Sequence, residues 1–402
     1  MANNGRWLYA KVEAFAEDFL QKLKQAFPNT PLSLSGDYRR RMEIIDQLVV
    51  VIGTSEDKLR SHPFGEQVDE KLQFKTEEGL NIQFQCCNSE DFGWTLLRTT
   101  GNAEHVAQLQ KNLSNISLSG KTEAEIYSLA GLDYIEPELR EGQNEVDWAG
   151  KKELPKLIEL TDLKGSLHNH STWSDGVNTL EEMALYCKNE LKLDYLGICD
   201  HSKSAFYANG LNEMRVAAQH REIDALNQKL APFKIFKGIE SDILYDGSLD
   251  YADEVLASFD FVVASVHSVL KMTEDKATER LIKAIENPYT TILGHPTGRL
   301  LLSRSAYPIN HEKVIDACAA NNVVIEINAN PLRLDLDWRW HQYALDKGVL
   351  LAINPDAHRT EGFLDMHYGV LVGRKGGLTA PKCLNAFSLA EIDTFFKNSK
   401  PA

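Results

Sequence analysis

The sequence predicts an α/β fold: a barrel of seven parallel strands with intervening helices, preceded by a smaller α+β domain. Three observations predict it. From residue 161 onward, strand-sized apolar runs alternate regularly with helical patterns. Histidines and carboxylates gather at the carboxyl end of nearly every one of these runs, where barrels of this kind place their chemistry. Before residue 160 the alternation is absent.

Residues 1–30 read as one amphipathic helix, because Leu8, Val12, Phe15, Phe19 and Leu23 recur at spacings of three and four. Pro28 and Pro31 end it. Residues 31–36 read as a short strand into a turn, with Arg39, Arg40 and Arg41 following. The run Gln47 to Gly53 reads as a buried strand, and 71–75 with 80–86 as a strand pair around Glu77-Glu78-Gly79. A helix carrying Leu96 and Leu97 follows Asp91-Phe92-Gly93, and Thr122 with Glu125 has the form of a capping box before 126–129. Residues 137–156 are charged, aperiodic and marked by Gly142 and Gly150. The expected organisation is therefore a first domain over 1–140, a linker over 141–160 and a barrel over 161–402. The barrel strands are expected at 163–168, 194–200, 233–240, 259–266, 290–295, 322–328 and 349–355. Helices are expected at 179–191, 211–229, 273–286, 310–321 and 336–347, with a short one near 250–257.

The 402 residues are 43% hydrophobic and 25% charged, which is the composition of a globular chain able to build more than one core. No apolar run approaches the roughly 20 residues of a membrane span. The stretch MANNGRWLYAKVEAFAEDF lacks the apolar centre of a signal peptide. Six cysteines form no Cys-x-x-Cys pair, so neither a disulfide framework nor a thiolate zinc site is expected, and a reducing cytoplasm is the expected location. The net charge of −15 opposes tight sequence-independent binding to DNA, and part of that acidity suits cations.

The motif at the centre of the chain is Ser166 to Gly176, SLHNHSTWSDG. Residues i and i+2 of a strand share a face, so His168 and His170 aim at one spot, with Asp175 in the following loop. The next strands end in Asp200-His201, Glu240-Ser241-Asp242, His267, His295-Pro296 and Asp356-Ala357-His358. The third strand ends in carboxylates without a histidine, and the sixth, ending at Asn330, is polar without one. Six of the twelve histidines thus sit at strand ends. Neutral imidazole and carboxylate together suit zinc, manganese or iron better than calcium, and nine such ligands suit two or three ions. Clustered divalent ions activate water, hold phosphate oxygens and stabilise a leaving oxygen, which points to phosphoester hydrolysis.

Around this set lie further candidates. Arg299 and Arg333 either hold phosphate bidentately or make surface ion pairs. Lys203 and Lys237 are weaker candidates of the same kind. Asp200 and Asp242 either orient histidines or close turns. Trp173 either stacks on a base or packs. His62, His105, His220, His311, His341 and His367 lie away from strand ends and read as ordinary structural residues.

The ordered motifs HNH, SDG, DHS, GIESDIL, SVHS, GHPTGR and DAH resemble the PHP (polymerase and histidinol phosphatase) domain over residues 160–400. That resemblance implies a distorted seven-stranded barrel holding three metals. His168, His170, Glu240 and Asp356 would hold the first; Glu240, His267 and His295 the second; Asp175, His201 and His358 the third. The segments 35–43, 91–93, Thr100-Gly101 with His105, and 135–142 look like the palm, thumb and linker of bacterial family X DNA polymerases. In that family a C-terminal PHP domain acts as a manganese-dependent 3′–5′ exonuclease and phosphoesterase. Nucleotidyl transfer requires palm carboxylates holding Mg²⁺. The matching positions here are Gln47, Val49 and Gln83, while Asp46 is one residue off and points to the other face. The N-terminal region is also too short for that family's helix-hairpin-helix modules. The resemblance implies a phosphoesterase acting on DNA 3′ ends, with polymerase activity lost. A phosphomonoesterase on a small metabolite and a non-catalytic repair scaffold are the alternatives.

Overall fold

The computed structural model describes residues 5–62, 69–114 and 116–401. The chain divides into two compact units, Met1–Lys156 and Leu157–Ala402.

In the first unit the expected opening helix runs over Tyr9–Ala26 and buries Tyr9, Val12, Ala16, Phe19 and Leu23 along one stripe. Residues 1–4 of that expected helix lie outside the described residues. A four-stranded sheet follows. Leu32–Ser35 pairs antiparallel with Gln47–Ile52, which runs parallel to Asn81–Cys86, and that strand pairs antiparallel with Gln73–Lys75. The central strand is buried and rich in valine, as a strand covered on both faces must be. The expected capping box is present. Thr122 accepts from the Glu125 N–H, and Glu125 accepts from the Thr122 N–H, at the head of a helix over Glu123–Leu129.

The stretch read as a linker is ordered structure of the first unit. It contains a helix, Glu145–Lys151, and it buries Arg140 and Glu145. Arg140 donates to Glu123 at 2.5 Å, and Glu145 joins His105 at 2.8 Å. Charge and missing periodicity misled the sequence reading, because these charges are paired inward and not solvated.

The second unit is the seven-stranded parallel barrel. Its strands are Gly165–Ser166, Tyr195–Ile198, Lys234–Asp242, Phe261–Ser265, Ile292–Leu293, Val324–Asn328 and Leu351–Asn354, hydrogen-bonded in sequence order. The helices between them fall at Leu180–Asn189, Glu213–Leu230, Asp253–Leu256, Glu274–Ile285, His311–Asn321 and His341–Asp346. Two further helices, Met366–Lys375 and Leu389–Asn398, lie beyond the expected ones.

The barrel floor is apolar. Phe396 of the last helix stacks on Phe261 at 4.7 Å and meets Phe236 edge-on at 5.1 Å, within a buried cluster that includes Tyr195, Val263, Ile292 and Val324. Gly197 and Gly238 leave room for the Phe261 ring, since a Cβ at either would lie 2.6 Å from it. Among the described residues no ladder joins the first and seventh strands, and a bridge from Asn169 to Ala357 links their ends. Asn385 spans the rest of that seam. Its amide accepts from the Ile353 N–H at 2.8 Å and donates to the Gly165 carbonyl at 3.2 Å and to Asn354 at 3.1 Å. A closed floor and seam leave the carboxyl-end mouth as the place where polar side chains converge.

Candidate metal centre

All nine strand-end residues meet at that mouth. Their convergence follows from parallel strands in register, each ending on the same side of the barrel. Glu240 is at the centre. Its Oε1 lies 3.3 Å from His168 Nε2, 3.1 Å from His267 Nε2 and 3.0 Å from His295 Nε2. Its Oε2 lies 3.6 Å from His170 Nε2 and 3.0 Å from His201 Nδ1. One carboxylate therefore faces two groups of imidazoles. Asp356 Oδ1 stands 3.0 Å from His170 Nε2 and 3.7 Å from His168 Nε2. Asp175 Oδ1 stands 3.4 Å from His358 Nε2 and 3.7 Å from His201 Nε2.

Three groups of ligand atoms are close enough to share an ion: His170, Asp175, His201 and His358; His168, His170 and Asp356; and His201, Glu240 and His267. This grouping differs in part from the one the resemblance implies. His201 reaches Glu240 as well as Asp175, and His295 joins through Glu240 alone. Among the described residues all these groups lie in the barrel, none in the first unit.

The donor set fits divalent cations on two counts. Buried polar atoms are normally hydrogen-bonded. Here His168 Nε2, both nitrogens of His170, His201 Nδ1, His295 Nδ1 and Glu240 Oε2 are buried without hydrogen-bond partners. Second, the imidazoles are oriented from behind. His168 Nδ1 donates to Glu326 at 2.7 Å and His267 Nδ1 to Asp242 at 2.5 Å, which turns each Nε2 lone pair toward the centre. Asp356 holds this position in a left-handed backbone conformation, φ 55°, of the kind that persists where surrounding structure over-determines it.

The electrostatics agree. Burial opposes charge on Glu240, yet His267, His168 and His201 hold its pKa well below the usual carboxylate range. Burial likewise opposes protonation of His267, but Glu240 and Asp242 raise it to about 10. His358 is raised to about 9 against its burial by Asp175 and Asp356. His170 goes the other way, to about 3, through burial and its neighbours His358 and His201. A field that draws protons onto flanking imidazoles also draws cations, and a neutral His170 is ready to ligate.

The remaining candidates separate. Arg333 stands at the centre, its Nε 3.9 Å from Asp356 and its Nη1 buried without a hydrogen-bond partner. Arg299 does not. It donates to Asp337 at 2.5 Å and to the carbonyls of Arg333 (2.8 Å) and Leu334, so its guanidinium is spent bracing the loop that carries Arg333. Asp242 orients a histidine, as above. The Asp200 carboxylate is buried and accepts from Ser171, Ser174 and Gln219, fixing the loop that leads to Asp175. Trp173 packs, donating to Glu222 at 2.9 Å with Arg215 over its ring. Lys203 pairs with Glu213 and Lys237 with Asp224. His62, His105, His220, His311, His341 and His367 stay outside all three groups.

Glu326 is the residue that sequence reasoning missed. It lies in the sixth strand, fully buried, and accepts from His168, from the His295 N–H at 3.2 Å, from Asn328 at 2.9 Å and from Asn354 at 3.1 Å. A glutamate inside an otherwise apolar strand was the available signal.

In the first unit, Val49 and Gln83 are cross-strand partners, with Gln47 on the same face two residues before Val49. Gln83 accepts from Gln73 at 2.8 Å and donates to the carbonyls of Lys71 and Phe84 at 3.1 and 3.0 Å. Asp46 is exposed. None of the three aligned positions offers a carboxylate.

No protein-family model matches the chain. A DNA polymerase/3′-5′ exonuclease PolX from Bacillus subtilis is 37% identical over 411 residues, spanning 96% of this chain and 72% of that protein. A probable phosphatase from Caldicellulosiruptor saccharolyticus is 32% identical over 209 residues, 49% of this chain and 80% of its own. One from Thermoanaerobacter sp. is 29% identical over 188 residues, 44% of this chain and 74% of its own. A solved histidinol phosphate phosphatase from Lactococcus lactis, in complex with zinc, L-histidinol and phosphate, is 18% identical, covers 54% of this chain and 94% of its own, and superposes with a TM-score of 0.42. With the likeness to the Bacillus protein running along nearly its whole length, the chain belongs to the PolX family, and its second unit is a PHP-type barrel.

Proposed function

We propose that the barrel is a metal-dependent phosphoesterase acting at the 3′ ends of nucleic acids, and that the first unit no longer transfers nucleotides. The convergence of nine histidines and carboxylates, with buried donor atoms left unpartnered, carries this reading. We assign His168, His170, Glu240 and Asp356 to one ion, Glu240, His267 and His295 to a second, and Asp175, His201 and His358 to a third. When bound, such ions supply charge that lowers the pKa of a water and offsets the charge gathering on phosphoryl oxygens.

The chain's own groups do the rest. Glu240, with one oxygen toward each set of imidazoles, serves two positions at once. Glu326 and Asp242 hold the tautomers of His168 and His267. Arg333 offers an unspent, buried N–H to a phosphate oxygen, and Arg299 fixes the loop that presents it. In the first unit, valine and two glutamines at the palm positions supply no anionic ligand for a pair of Mg²⁺ ions.

A second reading, a small phosphomonoester as substrate, is favoured by the acidic net charge of −15 and by the likeness of the barrel to proteins named as probable phosphatases. One experiment separates the readings. The purified chain with Mn²⁺ is given an aryl phosphate, a 3′-labelled oligonucleotide, and a primer-template with nucleotides. Release of 3′ nucleotides that disappears in His168→Ala is expected. Hydrolysis of the aryl phosphate alone would favour the small substrate, and primer extension would refute the assignment of the palm.

A further inference from the structure

The mouth of the barrel is ringed by apolar side chains left in water. Val177, Phe206, Tyr207, Tyr245, Val269 and Leu332 are all exposed, and they come from the loops after five different strands. Two of them stand apart. Phe206 is 88% and Tyr207 72% exposed, they are adjacent, and the Tyr207 ring lies 6.1 Å from the His201 ring in the candidate metal centre.

These rings are not the tip of a loose loop. They sit on a single 3₁₀ turn, Phe206–Ala208, pinned on both sides. The Ser204 N–H donates to Asp250 at 2.7 Å and its hydroxyl to Asp242 at 2.8 Å. The Leu211 N–H donates to the His201 carbonyl at 2.8 Å, and Arg215 donates to the carbonyls of Asn209 (2.6 Å) and Gly210 (3.2 Å). Gly210 passes so close to Ser202 that a Cβ would lie 1.9 Å from its carbonyl oxygen. A pinned turn holding two adjacent aromatics in water, with Tyr207 within electrostatic reach of Arg333 and Arg333 Nη1 without a hydrogen-bond partner, has the two parts a nucleotide needs: a π face for the base and a cation for the phosphate.

We propose that Phe206 and Tyr207 form the platform on which the unpaired terminal base of a nucleic acid stacks, so that they set the preference for a nucleotide over a small phosphomonoester. The substrate class rests on the phosphoesterase reading above; the platform itself is a binding site that can be tested without turnover. The net charge of −15 works against a grip by backbone charge alone, so in this proposal the terminal nucleotide is held by stacking together with Arg333.

The test uses the full chain in EDTA and a single-stranded oligonucleotide with 2-aminopurine as its 3′-terminal base. Binding is expected to quench the 2-aminopurine, with affinity falling only weakly as salt rises. Phe206→Ala and Tyr207→Ala are each expected to cost about tenfold or more in affinity and to lose the quenching, while Tyr207→Phe retains both. With Mn²⁺, kcat/KM should fall at least tenfold more for the oligonucleotide than for an aryl phosphate in either alanine variant. Absence of quenching by the unaltered chain, equal quenching in the alanine variants, or a changed sedimentation coefficient in place of changed affinity would overturn the proposal, the last by making the patch a protein interface. Quenching without any hydrolysis in Mn²⁺ would sink the phosphoesterase reading and leave the platform standing.

Discussion

Single side chains decide the chemistry here. Glu240 and Asp356 each face more than one imidazole, so groups around them act as a unit, and removing one disables the rest. His267→Ala or Asp356→Ala is expected to lower phosphoester hydrolysis by about 10³-fold or more, read in steady-state rates with bound metal counted by atomic absorption. Arg333→Ala should cost about 10²-fold in kcat/KM and Arg333→Lys less, because the charge is restored without the planar fork. His341 gives a test away from the site. It is fully buried and donates to the Leu336 carbonyl at 3.1 Å, and burial lowers its pKa to about 4. The unfolded chain takes up this proton near pH 6.5, whereas the folded chain refuses it until about pH 4. Its contribution is therefore fully present above pH 6.5 and is lost as pH falls toward 4, on the order of 3 kcal/mol in all. Urea unfolding at pH 7 and pH 5 should show a smaller loss of stability in His341→Gln than in the unaltered chain.

At the scale of elements, the last helix and the segment before it complete the barrel. Phe396 fills the floor against Phe261 and Phe236, so Phe396→Ala should destabilise the second unit by about 3–5 kcal/mol. Asn385 satisfies groups on both sides of the seam, and its loss leaves a buried N–H and carbonyl unpaired. Asn385→Ala is expected to lower the melting temperature measured by calorimetry, with proteolysis near the first and seventh strands rising in step. Floor and seam matter to function because the nine strand-end residues keep their spacing only while seven strands stay in register.

For the molecule as a whole, ligand binding and folding are linked. If ions occupy the centre, they bind the folded barrel and not the unfolded chain. Mn²⁺ at about a hundred times its dissociation constant should then add about 2.7 kcal/mol. That would raise the barrel's melting transition by several degrees, and EDTA should reverse it. The first unit offers no such cluster among its described residues, so any separate transition belonging to it should not move with Mn²⁺. The PolX relative from Bacillus subtilis spans both units, which frames the contrast between a barrel with a full donor set and a palm face of Gln47, Val49 and Gln83.

Strand periodicity and strand-end placement were readable from residues alone. His168 and His170 must share a face because strands alternate, and parallel strands in sequence order must bring their carboxyl ends together. What depended on packing between distant segments was not readable. Arg299 and Arg333 look alike in sequence, yet one is spent on Asp337 while the other keeps a free N–H. Apart from Asn328, the side chains of Glu326 and Asn385 bond to residues 28 to 220 positions away. Arg140 and Glu145 lie in a stretch whose charges resemble a solvated linker but are buried and paired. Local sequence sets backbone geometry and the face on which each side chain stands; which partner a polar group finds is settled only when the chain closes and removes water from between them.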